Sequence, residues 1–224
     1  MFKRYFILCI VFIYSISIFS QRAKTTLRLS RPEKLWVLSH PFIATKTRRI
    51  TQNVILVVNE IKKDTVLDGD ESGGQVDAFR HIYWMTLLAQ KIKPKKALKL
   101  GIAHEKGNKI MFEKMKMEEG SLPDSISCVM DIENDKIGVE IGKNNKELKE
   151  KELQTLIKNK ILKGEAKILL KNKNGDFLDV QDNVIDLNNY KGKWNVPKCL
   201  VNSNKTGGKD LRKDSGKNSI ADLL

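Results

Sequence analysis

Between Gly73 and Gly142 the chain carries three short clusters of polar residues set into segments of helical spacing. The first runs Gly-Gly-Gln-Val-Asp-Ala-Phe-Arg-His-Ile-Tyr-Trp, from Gly73 to Trp84. The second is Ala-His-Glu-Lys-Gly-Asn, from Ala103 to Asn108, and the third is Met-Asp-Ile-Glu-Asn-Asp-Lys-Ile-Gly, from Met130 to Gly138. Asp77 and His81 are four residues apart and share one helical face. Arg80 and Trp84 repeat that spacing on the neighbouring face, and His104 and Asn108 repeat it in the second cluster. Asp131 stands three residues before Asn134 and four before Asp135. Three amphipathic helices that each carry such groups can direct them into one interior, which is how helical bundles build metal and catalytic sites.

The rest of the sequence supplies a helical frame. Ser30 and Pro32 suit the cap and first turn of a helix, which Ser39-His40-Pro41 ends. A longer helix follows from Pro41 to Lys63, with Ile50, Val54, Val57, Val58 and Ile61 on one face. Helices are also predicted over 75–92, 95–117, 124–142 and 147–162, with Asp124 or Ser125 as cap and Gly164 at a C-terminal cap position. The helix over 75–92 is apolar around much of its circumference, so it is expected to be central. After residue 164 the period changes. Ala166–Leu170 and Phe177–Val180 flank an Asn174-Gly175 pair, a hairpin signal, and Trp194 is expected to cover it. The fold class is therefore mainly α: a bundle-like helical domain with a small C-terminal β-hairpin.

This reading divides the chain into a signal peptide over 1–20, a mobile segment over 21–30, a helical domain over 31–163, a hairpin extension over 164–201 and a polar, disordered tail over 202–224. Lys3 and Arg4 precede the apolar run Tyr5–Phe19, which is short for a membrane span and suits a secretory signal cut near Ser20. The protein is thus expected to be exported. The formal charge is +14, and loss of Lys3 and Arg4 lowers it by two. Lysines are spread over nearly every segment without the basic stripe of a nucleic-acid binder. Specific nucleic-acid binding is not expected, and attraction to anionic surfaces is the partner property the charge suggests. Cys128 and Cys199 remain after the signal, either as one disulfide or as two buried thiols. Asp68 and Asp70 sit in an acidic turn that superficially resembles a calcium loop but lacks its ligand spacing and closing glutamate, so an acidic turn is favoured over a calcium site, for which the two remain the candidates.

Two imidazoles with carboxylates and amides suit one divalent Zn, Mn or Fe ion. His81, His104 and Asp131 are the candidate ligands, with Asn134 beside them. Glu105 is the candidate base for bound water, and Arg80 and Asp77 complete the catalytic set. A metal-free site would use His104 or His81 as base, oriented by Asp131 or Asp77, with Arg80 stabilising an anion. The competing reading is a polar network that locks the helices together. Trp84 and Gly138 are expected to serve packing.

The three clusters resemble a bacterial domain family of unknown function, with the approximate signature Asp/Asn-Ala-Phe-Arg-His-x-x-Trp, Ala-His-Glu and Met-Asp-Leu-x-Asn-Asn-x-x-Gly. Similar domains occur in secreted proteins and as toxin-like modules. The resemblance covers Gly73 to Gly142 and points to Asp77, Arg80, His81, Trp84, His104, Glu105, Asp131, Asn134 and Gly138. The chain departs from it at Asp135, where the family usually has asparagine. The toxin-like contexts imply a hydrolase, expected here to act on phosphodiester or lipid ester bonds; the alternative is a non-enzymatic envelope protein.

Overall fold

In the computed structural model, which describes residues 28–115 and 122–205, six helices precede a two-stranded sheet. They are α1 (Arg31–Ser39), α2 (Pro41–Ile61), α3 (Gln75–Lys91), α4 (Pro94–Glu113), α5 (Ser125–Asn144) and α6 (Glu150–Leu162), followed by β1 (Lys167–Leu169) and β2 (Leu200–Asn202). The signal peptide expected over 1–20 and nearly all of the segment over 21–30 lie outside the described residues. No helix among the described residues is long and apolar enough to cross a membrane.

Local chemistry explains where the helices start. Ser30 caps α1 in a reciprocal box with Glu33: the Ser30 N–H donates to Glu33 Oε2 at 2.6 Å, and the Glu33 N–H donates to Ser30 Oγ at 3.4 Å. Pro41 opens α2 at a position whose N–H has no helical partner to lose. Asp124 caps α5 by accepting from the backbone of Ile126 and Ser127. The start of α3 is capped from a distance. Asp68 accepts from the N–H groups of Asp70, Gln75 and Val76, while Asp70 accepts from Ser72 N and Lys171 Nζ. Both carboxylates thereby hold the turn, as an acidic turn without calcium-loop spacing would have them do.

Helix α3 is the centre of the fold, as its apolar circumference predicts. Phe79, Ile82 and Tyr83 join a core with Val54 and Val58 of α2 and Leu153, Ile157 and Ile161 of α6. Met85, Leu88 and Ala89 join a second core with Trp36 of α1, Leu100 of α4 and Val139 of α5. Each fully buried large apolar side chain contributes about 1.5–3 kcal/mol. Gly138 sets how closely α5 approaches α3. A Cβ there would stand 2.3 Å from the Ile82 carbonyl oxygen, so any side chain would push the helices apart.

The C-terminal part is a small antiparallel sheet, but its partners differ from the expected pair. The turn at Asn174-Gly175 forms, closed by a single bridge between Lys171 and Phe177. The two-stranded ladder instead pairs β1 with β2, Ile168 opposite Val201. Trp194 does not sit over the hairpin: its ring packs on Phe112 of α4, and its carbonyl accepts from Ser125 N. Order also extends past the expected start of the tail, because Asn202 lies in β2 and Ser203 is buried with its hydroxyl donating to Ile161 O. The tail from 206 lies outside the described residues. Cys128 and Cys199 are separate buried thiols.

Candidate metal centre

His81 is the hub on α3, and only 2% of it is exposed. Its Nδ1 lies 3.1 Å from Asp135 Oδ1. Its Nε2 lies 3.3 Å from Asp131 Oδ1 and 3.8 Å from Asp77 Oδ1. A carboxylate on Nδ1 fixes the ring and directs Nε2 at the two remaining carboxylates, an arrangement that supports metal-bound histidines. One ligand atom each from Asp77, His81 and Asp131 lies within 4.8 Å of the others.

Each carboxylate is held differently. Asp77 is anchored on both oxygens: Oδ2 accepts from Gly73 N at 2.7 Å, and Oδ1 accepts from Arg80 Nη2 at 2.5 Å. Gly73 makes this possible through its left-handed backbone (φ 89°), and its carbonyl accepts from Leu169 N, tying the loop to β1. Burial raises the Asp77 carboxyl, but Arg80 and His81 outweigh it and hold it below the ordinary value. Asp131 goes the other way. Burial, then the charges of Asp77 and Glu105, push it well above its ordinary value. Asp135 is fully buried, and α4 makes room for it with Gly101, where a Cβ would stand 2.0 Å from Asp135 Oδ2.

Five buried atoms in and beside this cluster find no hydrogen-bond partner among the described residues: His81 Nε2, Glu105 Oε1, Asn108 Oδ1, Asp131 Oδ1 and Asp135 Oδ2. Buried polar atoms are ordinarily satisfied, and each that is not costs about 1–3 kcal/mol. A cleft of about 40 Å³ reaches the cluster, lined by Gly73, Asp77, Arg80, Asn108, Cys128 and Asp131 among others. That volume accommodates an ion with a water but not a substrate molecule.

Several predicted site residues stand elsewhere. His104 is not in the ligand group. Its Nδ1 pairs with Glu33 Oε1 of α1 at 3.1 Å, and its ring meets the Trp84 indole edge-on, with centroids 5.8 Å apart. Asp77 takes the place expected for it. Asn134 is not a ligand either: its amide donates to Lys167 O and accepts from Lys167 N, both at 2.9 Å. Glu105, the expected base, is fully buried and does not line the cleft. It accepts from Asn108 Nδ2 at 3.0 Å, and burial raises its carboxyl. Trp84 packs against both apolar cores, its indole N–H donating to Thr51 Oγ1.

A family model, described as a domain of unknown function (DUF6973), matches residues 34–165, more than half of the chain. The chain belongs to the DUF6973 family. No curated protein and no solved structure matches it. The matched range holds every residue of the DUF6973 cluster, from Asp77 to Asp135, whereas β1 and β2 lie beyond it. Sequence reasoning missed Glu33 as the partner of His104, because 71 residues separate them and no spacing rule links them. It noted the spacing of Asp135 from Asp131 and its departure from the family pattern, but gave it no role in the site. That i+4 spacing places both carboxylates on one face of α5, where the structure brings both to His81.

Proposed function

We propose that Asp77, His81 and Asp131 bind one divalent metal ion and that the cleft above them hydrolyses phosphodiester or lipid ester bonds. The observation that carries this reading is the juxtaposition of His81 Nε2 and Asp131 Oδ1, buried 3.3 Å apart with neither atom in a hydrogen bond. A shared cation satisfies both and offsets the excess of carboxylates around one imidazole. One nitrogen and two carboxylate oxygens form a donor set for Zn²⁺, Mn²⁺ or Fe²⁺ rather than for a soft copper site. Asp135 supports the set through Nδ1, and Arg80 anchors Asp77.

When bound, the ion supplies Lewis-acid polarisation and a water of lowered pKa. The chain itself supplies the rest. Arg80 lines the cleft and, one quarter exposed, is placed to hold an anionic oxygen of the substrate. The small cleft volume puts the scissile group at the mouth. Cys128 also lines the cleft, but burial and the Glu105 and Asp131 charges push its thiol up, which argues against a thiolate nucleophile. The charged start and apolar run of residues 3–19 support an exported setting for this activity.

The test is metal analysis of the purified protein beside His81→Ala and Asp131→Ala, with turnover of a phosphodiester and a lipid ester. Near-stoichiometric metal, lost in both variants while their far-UV circular dichroism is retained, is the expected result, with hydrolysis lost alongside. A parent protein that takes up no Zn²⁺, Mn²⁺ or Fe²⁺ would sink the proposal.

A further inference from the structure

The elbow between α1 and α2 exposes large apolar side chains that the rest of the fold does not cover. Phe42 is 100% exposed, Leu38 75% and Leu35 59%. Leu35 and Leu38 share the face of α1 opposite the buried Trp36. Leu38 and Phe42 flank the His40-Pro41 turn, where α1 ends and α2 begins. Single exposed leucines are ordinary, but three large apolar groups within eight residues form a patch.

The charge around the patch is of one sign. From Lys34 to Asn59 the chain holds Lys34, Lys46, Arg48 and Arg49 and no aspartate or glutamate. Lys46 and Arg49 follow Phe42 at i+4 and i+7, on the exposed face of α2, while Thr47, Val54 and Val58 face the core. Glu33 would break the pattern, but its side chain is turned inward onto Ser30 and His104. Apolar groups around the turn with basic groups alongside are what an anionic bilayer surface recognises: the rings and branched chains enter the headgroup boundary while the cations meet lipid phosphates.

We propose that the α1–α2 elbow, through Leu35, Leu38 and Phe42 with Lys34, Lys46 and Arg49, docks the domain on an anionic lipid bilayer. The proposal is independent of the metal centre.

The experiment uses the full chain with Cys9→Ser, since Cys128 and Cys199 are buried. Single cysteines replace Phe42, Leu38 or, as a control, Val180, which is 58% exposed and follows the hairpin turn. Each carries an environment-sensitive fluorophore. With phosphatidylglycerol vesicles, emission at positions 42 and 38 shifts to the blue while position 180 does not, and phosphatidylcholine vesicles give little shift. Lys46→Gln and Arg49→Gln each weaken vesicle binding by about fivefold. A probe at 42 that stays in water with anionic vesicles overturns the proposal. So does an equal shift at 180, or an equal shift on neutral vesicles. A blue shift at 42 before vesicles are added would assign the face to the N-terminal apolar run or a second copy of the chain.

Discussion

Asp131 and Asn134 lie one turn apart on α5, both buried and both polar, yet they are treated in opposite ways. Asn134 meets the backbone of Lys167 through two hydrogen bonds of 2.9 Å, so both its amide nitrogen and its amide oxygen have a partner. Asp131 faces His81 with an oxygen outside any hydrogen bond, in a position where burial and neighbouring charge disfavour its ionisation. Satisfied polar groups hold a fold together, whereas concentrated unsatisfied ones are what a ligand-binding centre requires. The two competing readings of the sequence, structural network and site, thus bear on different residues of the same helix: Asn134 is tied into the backbone of β1, and Asp131 belongs to the buried group that could hold a metal.

The largest effect is expected from breaking the helix contact on which both regions depend. Gly138→Ala should cost roughly 3 kcal/mol in urea unfolding, because its Cβ meets the Ile82 carbonyl oxygen, a backbone atom that moves only with the helix. The next variant separates the two regions. Asn134→Ala leaves the Lys167 N–H and C=O without their partner and should cost about 2 kcal/mol, while metal uptake persists. Asp131→Asn should do the reverse. Metal uptake is lost, and the metal-free protein melts about 2–4 °C higher, the equivalent of about 1 kcal/mol for a chain of this size. The sign follows from the raised carboxyl: the folded state favours its proton, so the wild type loses stability as pH rises above the ordinary value of 3.8. The advantage of the amide therefore grows with pH and vanishes in acid.

The smallest effect concerns the second imidazole. Burial alone raises the Glu33 carboxyl, but His104 and Ser30 outweigh it and hold it below its ordinary value of 4.5. A depressed carboxyl contributes stability that is present above 4.5 and lost as pH falls through the folded value. Glu33→Gln should thus flatten the acid limb of a melting profile by about 0.5–1 kcal/mol, with metal uptake unchanged. A loss of metal in this variant would return His104 to the ligand group.

Much of the frame was legible before the structure. The apolar spacing in α2 names Val54, Val58 and Ile61, and all three are buried. Ser30 and Asp124 are caps, as their side chains and following residues suggest. The site was legible only in part. Asp77 and His81 could be paired because four residues of helix put them on one face. His104 and Asn134 carried equally good local signals, but His104 faces Glu33 and Asn134 faces Lys167. The ladder of β1 with β2 was hidden for the same reason: Ile168 and Val201 pair across 33 residues, while the Asn174-Gly175 turn advertised a nearer partner.

The sequence by itself determined which segments are helical and which residues share a face, because capping, φ restriction and the 3.6-residue period act within a few residues of chain, although the helix expected over 95–117 ends at Glu113 and the one expected from 147 begins at Glu150. Only the tertiary structure decided which faces meet. Gly138 and Gly101 let α5 and α4 come close enough for Asp135 to reach His81, and Gly73 bends the loop so that its amide holds Asp77. Those encounters depend on close packing between elements distant in sequence, and no local spacing encodes them.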